Sequence, residues 1–285
     1  MSISGHWYTR NGKPCHTQPT KAGAASKERA THIGDARKPK NRFLPSVSGI
    51  TKMLASGGLE AHKMREVAKA CFNSPAHPGE ELAGYVSKMI EESGKDVGVA
   101  ADLGTKIHKA LEHHFEMGSY EDEPIVLVNG YQCLLSDLVQ PAIAKFGSLN
   151  LDISFTEKVL VNAEEGYAGT TDIIWRSDSG VGILDWKSKR TKPGKAIDPI
   201  DTHPMQIAAY IAAQFDASSG FDGALGYNVY VSTTEPGRVE VVEYKPKELE
   251  KAWESFLSCC QLWRYINDYD PRNTLEEAQA TSSDQ

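Results

Sequence analysis

The chain has 285 residues, 40% of them apolar and 24% charged, with a net charge of −7. That composition supports a packed core, as one large domain or two small ones, and excludes global disorder. No apolar run approaches the ~18 residues of a membrane span, and no charged start followed by an apolar stretch marks a secretory signal. Five scattered cysteines (Cys15, Cys71, Cys133, Cys259, Cys260) then read as reduced thiols of a cytoplasmic protein.

Residues 1–43 read as a weakly structured basic arm. Nine Lys/Arg stand against Glu28 and Asp35 in residues 1–42, a local charge of +7 that leaves −14 on the rest. A solvated tail explains this charge, and so does local contact with a polyanion. Asn11-Gly12 between 6–9 and 13–16 predicts a small hairpin. Helices follow. Ser46 or Ser48 caps a helix carrying Val47, Ile50 and Leu54, stopped by Gly57-Gly58. Further helices are expected over 59–71, 79–92, 98–117 and 130–146, the last kinked or divided by Pro141.

Strands are expected next, over 153–161, 169–176 and 181–187, the last two joined through a turn at 177–180. A helix at 204–215, strands at 224–232 and 238–244, and a helix at 246–269 complete the pattern. The order implies an α/β domain with one central mixed sheet. The organisation expected is an arm (1–43), a single domain (44–271, with a helical part 44–148 and a sheet part 149–271) and a polar tail (272–285).

The chemistry concentrates in Gly169-Thr170-Thr171-Asp172 and Ile183-Leu184-Asp185-Trp186-Lys187. Residues two apart on a strand share a face, so Asp185 and Lys187 point together. A hairpin closing symmetrically on Asp178-Ser179 sets Asp172 opposite Asp185. Like charges across a sheet are destabilising, and a divalent cation between them removes that cost. Lys187 is then placed to orient or deprotonate water and to offset phosphate charge. Ile173, Trp175, Leu184 and Trp186 make the other face apolar, which marks a central strand rather than a solvent-facing hairpin.

His108 and Glu112 lie four apart on one helix, placed to add a metal ligand and a supporting carboxylate. On spacing alone, a partly buried histidine explains His108 better. Gln206 and Tyr210, again four apart, are suited to phosphate or base contact, though helix packing accounts for them equally. The basic loop from Ser188, Lys189 and Arg190 to Lys192 and Lys195 suits phosphate backbone. Glu157 is a further candidate to support the site. The cysteines show no zinc or iron–sulfur spacing.

Taken in order, GTKIH (104–108), GTTD (169–172), ILDWK (183–187) and QIAAY (206–210) resemble the RecB-like branch of the PD-(D/E)XK nuclease superfamily. The likeness extends to LPSVSGITKML (44–54), and the chain is similar to bacteriophage-type exonucleases and to the mitochondrial genome maintenance exonuclease. The resemblance implies a restriction-endonuclease-like core with a helical amino-terminal half. It implies magnesium or manganese held by His108, Asp172, Asp185 and the Trp186 carbonyl, with Lys187 catalytic. It also implies Gln206 and Tyr210, with Ser188, Lys189 and Arg190, near DNA. No iron–sulfur cluster is expected.

The expected activity is metal-dependent DNA exonuclease action on linear ends, single- or double-stranded, in phage-type recombination, repair or genome processing. A single-strand annealing or single-strand-binding protein is the kind of partner this suggests, and no membrane is involved. The alternatives are a structure-specific endonuclease and a catalytically inactive DNA-binding module.

Overall fold

The computed structural model describes residues 6–20, 27–54, 57–178, 180–215 and 220–272. The expected polar tail beyond residue 272, with Lys21 of the arm and Ser179 of the hairpin turn, lies outside them. The amino-terminal segment is not a loose arm. Its expected hairpin forms, with Thr9 N–H donating to the Lys13 carbonyl (2.9 Å), Cys15 N–H to the Trp7 carbonyl (2.7 Å), and Gly12 at φ +82°. Strand β1 (Trp7–Tyr8) then pairs with Leu44–Pro45 in the body. Trp7 is 2% exposed and meets Trp263 edge to face at 6.1 Å.

Strands β2 (Thr17–Pro19) and β3 (Glu28–Ala30) pair antiparallel and lead into the short helix α1 (Ile33–Ala36). The segment's positive charge has a local destination. Arg29 and Lys38 grip buried Asp35, and Arg29 above all holds that carboxyl well below the usual carboxylate range. Arg10 donates to the carbonyls of Pro271 and Arg272, Arg37 to that of Asn267 and Arg42 to that of Asp270. The Asn267 carbonyl ends the helix over 246–267, where orphan carbonyls and the negative pole of the dipole favour cations, and the other acceptors follow within five residues of it.

Strand β4 (Leu44–Pro45) precedes α2 (Val47–Thr51), which Ser46 caps by accepting from Gly49 N–H at 3.0 Å. That helix ends at Thr51, earlier than expected, and Gly57-Gly58 open α3 (Gly57–Asn73) instead of closing α2. The two helices expected over 79–92 and 98–117 are one, α4 (Leu82–Met117), with Gly118 at φ +76° as its left-handed stop. Gly94 and Gly98 cost about 1 kcal/mol each against alanine, and no proline enforces a break there. The helix expected from residue 130 starts at 136. Residues 130–134 belong to a small hairpin, β5 (Pro124–Val126) with β6 (Gln132–Leu134), and Pro141 stays inside α5 (Ser136–Gly147).

The central sheet is built from β7 (Asp152–Asn162), β8 (Tyr167–Ser177), β9 (Gly180–Lys189), β10 (Ala224–Ser232) and β11 (Val239–Tyr244). Their order is β11-β10-β9-β8-β7. The β9–β10 pair is parallel and the rest are antiparallel, so the sheet is mixed as expected. Helix α6 (Thr202–Phe215) makes the crossover between the parallel strands, and α7 (Pro246–Asn267) follows β11. Alternation sends the two faces into separate cores. Ile174 and Ile183 pack with α6, α7 and Trp7, while Ile173, Trp175, Leu184 and Trp186 pack with α4 and α5. Among the described residues no helix is long and apolar enough to cross a membrane.

Because Trp7 fills the α6–α7 core, Trp7→Ala should cost about 3–5 kcal/mol in urea unfolding, as large aromatic truncations in cores do. A change under about 0.5 kcal/mol would show that the segment rests on the surface.

Candidate active site

Strand register assembles the site. The β8–β9 ladder runs from Ser177↔Gly180 to Ile173↔Leu184, which brings Asp172 beside Asp185, the pairing expected from the hairpin count. On the far side of β8, the pairs Thr156↔Ile173 and Lys158↔Thr171 bracket Glu157 opposite Asp172. On the far side of β9, Asn228 pairs with Asp185. Glu157, Asp172, Asp185 and Asn228 therefore form one row across four strands. Glu157 sits at φ +43°, a conformation that a side chain other than glycine adopts at a cost.

Each member is held by named partners. Asp172 Oδ2 accepts from the Trp186 backbone N–H at 2.6 Å. The Trp186 segment thus touches the site through its nitrogen, while its ring lies in the other core, stacked on Phe115. Lys187 Nζ makes an ion pair with Asp185 and donates to Gln206 Oε1 at 2.8 Å. Gln206 Nε2 donates to Tyr210 Oη at 3.1 Å. Asn228 Nδ2 donates to Asp185 Oδ2 at 3.3 Å. From α4, His108 Nδ1 stands 3.8 Å from Asp172 Oδ1.

The row is electrostatically loaded. Burial, then Asp185 and Glu157, raises the Asp172 carboxyl well above the usual range. Burial, then Glu112 and Glu116, lifts Glu157 to about 7, with a hydrogen bond to Asp172 pulling the other way. Burial lowers His108, which keeps its imidazole neutral and able to donate a lone pair. These groups open on a cleft of about 390 Å³ lined by Gly104, His108, Glu112, Glu157, Asp172 and Ser188.

Among the described residues, no three His, Cys, Asp or Glu side chains already converge as a metal cluster. The donor chemistry nevertheless fits magnesium or manganese. Three carboxylates and one neutral imidazole face a region of excess negative charge that a single ammonium does not balance. His108 Nδ1 and Asp172 Oδ1 stand 3.8 Å apart and line the same cleft.

Gln206 and Tyr210, expected near DNA, make their hydrogen bonds within the protein. Tyr210 is only 4% exposed, and Gln206 is engaged at both ends of its amide. They brace Lys187 from behind. Of the basic loop, Ser188 lines the cleft, Lys189 bonds the Asp198 carbonyl and lies over the Tyr230 ring, and exposed Arg190 acts on Glu66 of α3. Glu112 stays at the cleft's helical wall.

Two residues escaped the sequence reading. His203 lies one turn before Gln206, bonds Tyr230 Oη at 2.7 Å, and is lowered to about 4 by burial and then Lys187. Asn228 is fully buried beside Asp185. The signals were a histidine three residues before Gln206 and a lone amide in an otherwise apolar strand.

Close approach explains two motif glycines. A Cβ at Gly104 would lie 2.6 Å from Ser188 Oγ, and one at Gly169 would lie 2.7 Å from the Tyr210 ring. Gly169→Ala should therefore cost about 1–3 kcal/mol, as overpacking does, and displace the Lys187 brace. A melting temperature equal to that of the unaltered protein would disprove the contact. The acid row gives a pH signature as well. Free carboxyls are ionised by pH 5, but folded Glu157 holds its proton up to about 7. The folded state binds more protons across that window, so metal-free stability should fall as pH rises through about 7. Glu157→Gln should flatten this slope in thermal melts between pH 5 and 8, and an unchanged slope would remove Glu157 from the row.

No family model matches the chain, and no curated protein matches it. Among solved structures, one described as the crystal structure of SSO0001 is similar at 16% identity and a TM-score of 0.27, covering 68% of this chain and 84% of that one. A superposition of that quality identifies neither fold family nor activity.

Proposed function

We propose that the protein is a magnesium- or manganese-dependent deoxyribonuclease with a PD-(D/E)XK core, acting as an exonuclease on linear DNA. The observation that carries this reading is the carboxylate pair Asp172–Asp185, with Lys187 two residues on and His108 reaching in from α4. Four separate segments of chain converge on one carboxylate row beside an open cleft. A row of neighbouring acids with Asp185 buried in it is costly for folding alone, which points to a functional reason for keeping it.

Asp172, Asp185 and His108 would hold the ion. When bound, it would supply Lewis-acid stabilisation of the phosphate charge and a more acidic water. Glu157, with a proton affinity near neutrality, is matched to take the attacking water's proton. Lys187, kept extended by Gln206 and Asp185, is placed to donate to a phosphate oxygen as negative charge develops there. Hydrolysis of the phosphodiester would leave a 3′-hydroxyl and a 5′-phosphate.

End-labelled linear DNA, single- and double-stranded, should be degraded with magnesium or manganese while closed circles survive. Lys187→Ala should slow cleavage by about 10²–10⁴-fold, the range for a positioned proton donor or acceptor. Asp172→Asn and Asp185→Asn should abolish it, with the fold verified by circular dichroism. Cleavage of circles would make the enzyme an endonuclease. No cleavage of any form with either metal would overturn the reading in favour of a binding module.

A further inference from the structure

The segment from β9 to α6 leaves the cleft at Ser188 and carries Lys189, Arg190, Lys192 and Lys195. A loop this basic would ordinarily be mobile. Here its backbone is pinned at several points to the β10–β11 connection and the start of β11. Thr233 N–H donates to the Lys189 carbonyl at 2.9 Å. Thr191 N–H donates to Thr234 Oγ1 at 3.0 Å, and Thr234 Oγ1 donates back to the Thr191 carbonyl at 2.9 Å. Ile197 N–H donates to Glu240 Oε2 at 3.1 Å.

The centre of this arrangement is Arg238. Its Nη1 donates to the Lys192 carbonyl at 2.9 Å and its Nη2 to the Lys195 carbonyl. The same guanidinium is held by Glu235 and Glu240, and Thr191 Oγ1 donates to Glu235. Arg238 thus fastens both ends of the turn Lys192-Pro193-Gly194-Lys195, which closes with Lys195 N–H on the Lys192 carbonyl at 3.1 Å and Gly194 at φ +69°. Proline second and a positive-φ glycine third are the requirements of a type II turn, whose ends lie within about 7 Å.

The consequence is two exposed lysines at the two ends of one fixed turn. Lys192 and Lys195 are exposed and make no ion pair among the described residues, while the nearby acids Glu235 and Glu240 are engaged by Arg238. Fixing a loop in advance removes the ordering cost that weakens most contacts to a flexible polyanion.

We propose that this turn is a preformed clamp for two neighbouring phosphates of the DNA strand that runs through the cleft, with Arg238 as its positioning residue. The inference rests on the nuclease reading and deepens it by assigning a second backbone contact beyond the scissile phosphate. Arg238 itself faces protein carbonyls and carboxylates, so the phosphate charge is met by the lysines.

The test is fluorescence anisotropy of the full chain with a labelled single-stranded oligonucleotide in EDTA, titrated with salt. Lys192→Ala/Lys195→Ala should bind about tenfold more weakly at 0.1 M salt, and its log K against log salt slope should be shallower by about 1.4, about 0.7 for each lost single-strand phosphate contact. Arg238→Gln should bind a few-fold more weakly with the slope unchanged, and in turnover its KM should rise while kcat holds. A double variant matching the unaltered protein in affinity and slope would overturn the clamp while leaving the nuclease reading intact. A shallower slope for Arg238→Gln would overturn its positioning role and make it a phosphate contact. If Arg238→Gln does not fold, the exposed lysine pair still decides the question. An unaltered protein that binds no DNA would overturn the nuclease reading, and the clamp with it.

Discussion

The structure turns on a problem in electrostatics. Three carboxylates, from Glu157, Asp172 and Asp185, stand in one row that runs inward from the edge strand β7 across β8 to β9. Asp185 is buried and the other two are half-buried at the cleft, so water screens them only in part and they repel one another. The surroundings answer with one ammonium, one amide side chain and one backbone N–H. That answer is partial, and a proton on the row or a cation in the cleft completes it.

The two cores divide the work of holding this row. The α4–α5 side is dry and aromatic, with Trp186 stacked on Phe115 and backed by Trp175 and Leu184. It sets the height and twist of β8 and β9. The α6–α7 side is polar near the row and apolar away from it. Gln206 and Tyr210 reach down from α6 and fix the lysine's head group, and the absence of a side chain at Gly169 is what admits the Tyr210 ring. A change in helix packing on this side is therefore felt at Lys187 before it is felt at the carboxylates.

Much of this was legible in the sequence because strands report through a period of two. The hairpin count placed Asp172 opposite Asp185, and alternation around Trp175 and Trp186 showed which face was dry. Helix ends were harder to read. Gly57-Gly58 looked like a stop and proved to be a start, and Gly94 and Gly98 failed to divide α4 because length and propensity outweigh two glycines. Side-chain roles that depend on non-local burial were not legible. Gln206 and Tyr210 have the chemistry of DNA contacts, and only tertiary packing shows Tyr210 buried and Gln206 bonded to Lys187. The basic amino-terminal segment misled for the same reason, since its arginines find carbonyls more than 200 residues away.

That last feature bears on how the chain acquires its fold. Arg10 closes on Pro271 across 261 residues, and Trp7 needs Trp263 to complete its socket. The hairpin around Asn11-Gly12 therefore has no finished surface to join until α7 has formed. Its burial is a late event, dominated by long-range closure rather than by local propensity. Until α7 forms, Trp7 lacks the ring it packs against, and in that interval the folding chain exposes apolar surface that is open to misassociation.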